Sequence, residues 1–167
     1  LHHGHHCKQD ISAYRIAGDA SSGLWPRVSG EDPGEKGAAD NKIQAYCFRM
    51  CLTDNPANRI PFSRPDGYDA GQYALLARVL QSGWNEVFNK FDPIPNHKTD
   101  VNNHGPFSTD NIGMNYAYPD ASYECRKDIL HEHEVYQKGL MYFLSNDTAV
   151  PAPIRARMKA WALSRDE

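Results

Sequence analysis

The residue pattern predicts an α+β fold with one central strand, few further short strands, three main helices and long loops. Three observations carry that expectation. From Lys42 to Thr53 apolar side chains alternate, with Tyr46, Phe48, Met50 and Leu52 on one face and Ile43, Ala45, Cys47 and Cys51 on the other, which is the period of a strand. From Asp120 to Ser145 the residues Ile129, His133, Tyr136, Leu140 and Phe143 or Leu144 follow a helical spacing and fall on one stripe. Between such segments Pro, Gly, Asn and Asp cluster, as they do in turns.

Taken in order, residues 1–41 read as a mostly extended loop, because positions 18–40 are rich in Gly, Ser, Pro and acids. Residues 42–118 hold the strand, a helix and a polar loop. Apolar residues on both faces of the strand predict cover on both sides. A helix is expected to begin near Asp69, where Asp69 and Gln72 have capping-box spacing ahead of Tyr73, Leu76 and Leu80, and to stop at Gly83. A loop then runs from Asp92 to Tyr118, interrupted by Pro93, Pro95, Gly105, Pro106 and Gly113. Residues 119–167 are expected to be helical. Pro119 and an acid open the long helix, and a third, roughly Pro153 to Leu163, offers Ile154, Met158 and Trp161 to a core.

The 167 residues suffice for a single core, with 40% hydrophobic and 23% charged residues in the ordinary globular range. A net charge of -3 provides no basic stripe for nucleic acid. No apolar run approaches the roughly 20 residues of a membrane span. Cys7, Cys47, Cys51 and Cys125 form neither a C-x-x-C pair nor a disulfide framework. Leu1 in place of an initiator Met, and an ending at Ser164-Arg165-Asp166-Glu167 without a clear stop, lead us to expect an internal piece of a longer chain.

Two groups of histidines invite a metal reading, which the spacing does not support. His131 and His133 are two apart on a helix and point to different faces, whereas H-E-x-x-H places its ligands one turn apart. His133 reads as a hydrogen-bonded core histidine, and no metal is expected. Arg49 lies between Cys47 and Cys51 on the apolar strand, so its guanidinium needs either an acid of the protein or an anionic ligand group. The stretch His97-Lys98-Thr99-Asp100-Val101-Asn102-Asn103-His104-Gly105 concentrates donors and acceptors. It is either a binding loop or a turn held by its own Asx side chains. Lys98 could hold an anion or hydroxyl, Asp100 could accept a proton, and Asn102, Asn103 and His104 could orient a substrate. No G-x-G-x-x-G, P-loop or G-x-S-x-G motif is present.

The segments IQAYCFRMCLTDNPANRIPFSRPDGYD, PIPNHKTDVNN with GPFSTDNIGMNYAYPDASY, and KGLMYFLSNDTAVPAPIRARMKAWALSRDE together resemble the middle of a family of bacterial FAD-dependent oxidoreductases. Some members carry the label xanthan lyase. HHGHH and SAYRIAGDASSGLWP extend the resemblance over nearly the whole chain. It implies that the chain is a partial domain of a mixed α/β flavoenzyme whose complete form binds FAD. This piece would supply the substrate-side region for flavin-mediated two-electron chemistry, together with the remainder of the parent polypeptide. The isolated piece would then be inactive. The resemblance further suggests a small-molecule or carbohydrate substrate, with His5 or His6 beside Asp100 as proton-transfer groups and Arg49, Lys98, Asn102, Asn103 and His104 as substrate contacts. A carbohydrate-active lyase is the second reading, and a non-catalytic binding module the third.

Overall fold

Seven strands and three α-helices occur among the described residues of a computed structural model, an α+β arrangement as the residue pattern predicts. The structure describes residues 11–32, 34–89, 91–102, 104–105 and 107–167. The first 41 residues are not all loop. Strands β1 (Tyr14–Ile16) and β2 (Asp19–Leu24) form an antiparallel hairpin, turned at Ala17 and at Gly18 with its positive φ of 81°. The hairpin is polar and largely exposed, so it lacks the apolar alternation by which a half-buried strand is recognised.

The larger sheet has the order β4-β7-β3-β6-β5, antiparallel throughout. Its strands are β3 (Met50–Thr53), β4 (Arg59–Ile60), β5 (Phe91–Ile94), β6 (Lys98–Val101) and β7 (Ala162–Ser164). β3 is central, as expected, but it occupies only the last four residues of the predicted strand. The residues before it are stitched by side chains instead of a neighbouring strand. Gln137 accepts the Phe48 N–H at 3.1 Å and donates its amide to the Phe48 carbonyl at 3.1 Å and to the Thr109 carbonyl at 2.9 Å. The Asn115 amide reaches the Gln44 carbonyl at 2.7 Å, and the Asn111 N–H reaches the Tyr46 carbonyl at 3.3 Å. These partners meet the backbone's need for hydrogen bonds without extending the ladder.

Two further segments differ from expectation. The start of the predicted polar loop is the β5-β6 hairpin, in which Pro93 is tolerated because β5 is an edge strand. Asn96 and His97 take left-handed conformations at the turn, with φ of 66° and 59°. Near the end of the chain the third helix, α3 (Ala152–Met158), is shorter than predicted. The chain turns at Lys159 and Ala160 and returns as β7 between β3 and β4. Ile154 and Met158 are buried as expected, while Trp161 is partly buried against the same core.

The other helices follow their signals. Asp69 caps a 3-10 turn by accepting the Gly71 N–H at 2.8 Å, and α1 (Ala74–Gln81) continues from it with Leu75, Leu76, Val79 and Leu80 buried. Gly83 follows with φ of 98°. Helix α2 (Tyr123–Asn146) starts three residues later than predicted, after Pro119 and Asp120 form their own 3-10 turn and Ser122 caps the Cys125 N–H. Its buried face carries the predicted His133, Tyr136, Leu140, Phe143 and Leu144, and it adds Gln137 and Gly139. A Cβ at Gly139 would lie 2.3 Å from the Tyr73 hydroxyl, which donates to the Tyr136 carbonyl at 2.8 Å. Only glycine lets Tyr73 reach that carbonyl.

Replacing Gln137 by Leu preserves bulk but strands three backbone groups. We expect a loss of about 2–4 kcal/mol in unfolding free energy, measured by urea denaturation, with amide exchange accelerating first at residues 44–48. A change below about 0.5 kcal/mol would show that water replaces the clamp.

Candidate functional site

The predicted site residues separate into three settings. Arg49 is not buried between two covered faces. It stands just before β3 with a 62% exposed side chain and pairs with Asp100 on β6. The acid anticipated for Arg49 is thus the proposed catalytic carboxylate. Register explains the pairing, because Asp92 lies directly opposite Asp100 across the β5-β6 ladder. Facing like charges repel, and Arg49 supplies the counter-charge from β3's side.

Lys98 has a different occupation. Its side chain is only 9% exposed, and its ammonium donates to Glu167 at 2.5 Å and lies 3.0 Å from Asp166. Asp166 in turn accepts the Asn58 amide at 2.7 Å. The hydrogen bonds to Glu167 and Asp166 raise the Lys98 pKa above its ordinary value, and those from Asn58 and Lys98 lower that of Asp166. Lys98 therefore ties the end of the chain to the sheet.

Asn102 and His104 occupy the third setting. They border a cavity of about 30 Å³ whose other walls include Trp84, Thr109, Leu140 and Leu144. His104 Nε2 lies 2.8 Å from a Glu86 carboxylate oxygen, and its ring stacks on Trp84 with a centroid separation of 6.4 Å. Gly105 follows with φ of 78°, and a Cβ there would stand 2.2 Å from the indole, so this turn requires glycine. Trp84 Nε1 and Thr109 Oγ1 are buried without a hydrogen-bond partner among the described residues. The remaining walls, Leu76, Val87, Phe91, Val101, Phe107 and Met141, are apolar, and a void of this size beside a few polar groups can hold a water. His5, His6 and Asn103 lie outside the described residues.

A cluster that sequence reasoning missed surrounds Arg27. Its guanidinium donates to Asn111 Oδ1 at 2.6 Å and to Glu132 Oε1 at 2.8 Å, while the Asn111 amide donates to the other Glu132 oxygen. The same guanidinium sits 4.3 Å from the centroid of the Tyr136 ring. Arg27 has φ of 64°, an uncommon conformation for a non-glycine residue, held here by three partners. One signal was available: Glu132 and Tyr136 are four apart on α2 and share a flank. Arg27 itself lies in a stretch with no periodicity to mark it.

The described residues thus form an antiparallel α+β scaffold in which a histidine-carboxylate pair borders a small cavity walled mainly by apolar side chains. The chain belongs to the FAD dependent oxidoreductase family, whose match spans residues 6–163. No curated protein and no solved structure matches it significantly.

Family membership implies FAD in the complete protein. The described residues do not fit its pyrophosphate, which dinucleotide folds hold at a glycine-rich turn between a parallel strand and a helix N-terminus. Here the larger sheet is antiparallel. Asp69 caps the turn that leads into α1, and α2 carries Glu124 in its first turn behind the Ser122 cap. Both positions place a carboxylate where a phosphate would need positive potential.

Two outcomes follow for these charges. In a double-mutant cycle, Arg49→Ala and Asp100→Ala should couple by less than about 1 kcal/mol and lose most of that in 1 M salt, whereas Arg27→Met should cost about 2 kcal/mol because Glu132 and Asn111 lose their shared partner. The tail tether should depend on pH. A raised Lys98 pKa makes its contribution complete below the free value of 10.5 and lost as pH rises through the higher folded value. A lowered Asp166 pKa makes its contribution complete above 3.8 and lost as pH falls through the lower folded value. Backbone ¹⁵N relaxation at residues 165–167 should report an ordered tail near neutrality, released at both extremes and at every pH in Lys98→Met.

Proposed function

We propose that this chain is a piece of a FAD-dependent oxidoreductase that supplies the substrate-side region and leaves the cofactor's pyrophosphate to other parts of the parent polypeptide. The observation that carries the reading is an antiparallel scaffold with acid-flanked helix starts in a chain of this family. In the complete protein FAD supplies the two-electron chemistry, and the residues here position the substrate and handle its proton.

Within that reading, Asn102 forms part of the wall against which the substrate rests. Glu86 accepts a hydrogen bond from His104 and fixes the proton on Nε2, while Trp84 sets the ring plane. Fixing the tautomer in this way prepares His104 to hold or move a substrate proton. Arg49, Asp100 and Lys98 organise the sheet beside the site and carry no chemistry in this scheme. His5, His6 and Asn103 remain candidates for the same region.

The test uses the complete polypeptide. Its flavin absorbance should bleach anaerobically with a small polar or carbohydrate donor, and His104→Asn should slow that bleaching by about 10²–10⁴-fold with flavin content unchanged. An unsaturated product formed without any change in the flavin would support the lyase reading, and an unaltered bleaching rate in His104→Asn would move the proton-handling group elsewhere.

A further inference from the structure

An open groove of about 410 Å³ lies where the end of α2, the chain around β4 and the turn from α3 into β7 come together. Its volume is that of a small-molecule site, against about 30 Å³ for the cavity bordered by His104, and the two share no lining residue.

The groove is charged on one side of neutrality only. Arg59 and Lys159 line it, and no carboxylate does. Most of the lining comes from residues 55–65 and 148–165, which hold no Asp or Glu but include Arg59, Arg64, Arg155, Arg157, Lys159 and Arg165, in a chain whose net charge is -3. The acids nearest in sequence are engaged elsewhere. Asp147 accepts the Ala149 N–H at 2.8 Å, and Asp166 accepts the Asn58 amide and pairs with Lys98.

Neither lining cation is neutralised. Arg59 Nη1 donates to the Ala160 carbonyl at 3.0 Å and to the Lys159 carbonyl at 3.4 Å, which steadies the guanidinium beside the backbone of the other cation. The Lys159 ammonium has no hydrogen bond or ion pair among the described residues. Like charges along one groove repel, and an anion bound by both relieves that repulsion. The guanidinium fork suits a carboxylate in particular.

The rest of the lining selects the body that carries the anion. Phe62 and Trp161 are partly buried against the core, and Phe91 meets Trp161 edge-on at 5.8 Å, which fixes the plane of the indole. Pro56 and Pro61 extend this apolar surface. A neutral polyol would meet the Ser145 hydroxyl and the Asn146 amide already donating to carbonyls of α2. An ammonium compound would meet two like charges. A flat apolar ring bearing a carboxylate fits both halves of the lining.

We propose that this groove binds an aromatic carboxylate, whose anionic group pairs with Arg59 and Lys159 while its ring rests on Phe62 and Trp161. The inference goes beyond the redox reading and does not rest on it, because binding here needs no flavin.

The experiment labels the full chain with ¹⁵N and titrates it at low salt with 2-naphthoate, with its neutral isostere 2-naphthamide and with acetate. 2-Naphthoate should shift the amide resonances of Arg59, Phe62, Lys159 and Trp161 saturably and bind about fivefold tighter than 2-naphthamide. Acetate, which lacks the ring, should bind more weakly than 2-naphthoate. Salt at 1 M should remove most of the advantage over the amide. Lys159→Met removes no bond of the fold and should lower 2-naphthoate affinity about two- to fivefold while leaving 2-naphthamide unchanged. Arg59→Met should do the same, and if that variant fails to fold, Lys159→Met still decides. Equal affinity for the acid and its amide, shifts confined to other residues, no saturable binding of 2-naphthoate, or wild-type binding of both probes by Lys159→Met would each overturn the proposal.

Discussion

Everything around the two cavities depends on how one glutamine is satisfied. Gln137 is buried on α2, where an amide without partners would be expensive. Its three hydrogen bonds, two to Phe48 and one to Thr109, make the helix serve as a substitute strand. Residues 46–48 are thereby held along α2, and the stretch around Thr109 is held against the same turn. Tyr136 adds a bond from its hydroxyl to the Ser108 carbonyl. A small cavity lined by Tyr46, Phe48 and His133 lies on the N-terminal side of this clamp, and the cavity bordered by Asn102 and His104 lies on the C-terminal side, with Leu140 and Leu144. One helix face therefore sets the walls of both.

The polar residues of the sheet tell a complementary story about charge. Asp92 and Asp100 face each other on β5 and β6 because the ladder register makes them opposite, and Arg49 relieves that pairing from the next strand over. Lys98, two positions earlier on β6, points to the same face and meets the acids that end the chain. In the sequence, Lys98, Asp100, Asn102 and His104 resemble one binding loop. Folding assigns the first two to the ladder and its electrostatics, and only the later pair, beyond the end of β6, turns toward a cavity. The end of β6 at Val101 separates residues that density of polar side chains would group together.

Legibility followed the strength of local periodicity. The stripe on α2, the Asp69 start signal and the Gly83 stop were readable because helical spacing and capping are local. The Lys42 to Thr53 alternation was real, but it could not reveal that Phe48 would be held by Gln137 on a helix, and Gln44 and Tyr46 by Asn115 and Asn111, all more than 60 residues away. The β1-β2 hairpin and β7 were hidden for a related reason. One is exposed on both faces, and the other is three residues long, defined almost wholly by partners distant in sequence. Arg27 shows the limit most clearly: its role depends on Asn111 and Glu132, separated from it by 84 and 105 positions, and no spacing rule connects them.

His104 and His133 show why residue type alone could not rank the candidates. His104 looked functional because it sits in a polar loop, and it does meet a carboxylate that fixes its proton. His133 looked inert because it lies on an apolar stripe, and the stripe does bury it. Burial, however, satisfied only one of its nitrogens. A core histidine is neutralised as a functional group when both nitrogens are engaged, since each is then committed to the fold. With Nδ1 bound to the Ile129 carbonyl, the same burial fixes the tautomer and leaves Nε2 enclosed without a partner among the described residues. The apolar stripe thus accounts for one nitrogen of the ring and not for the other.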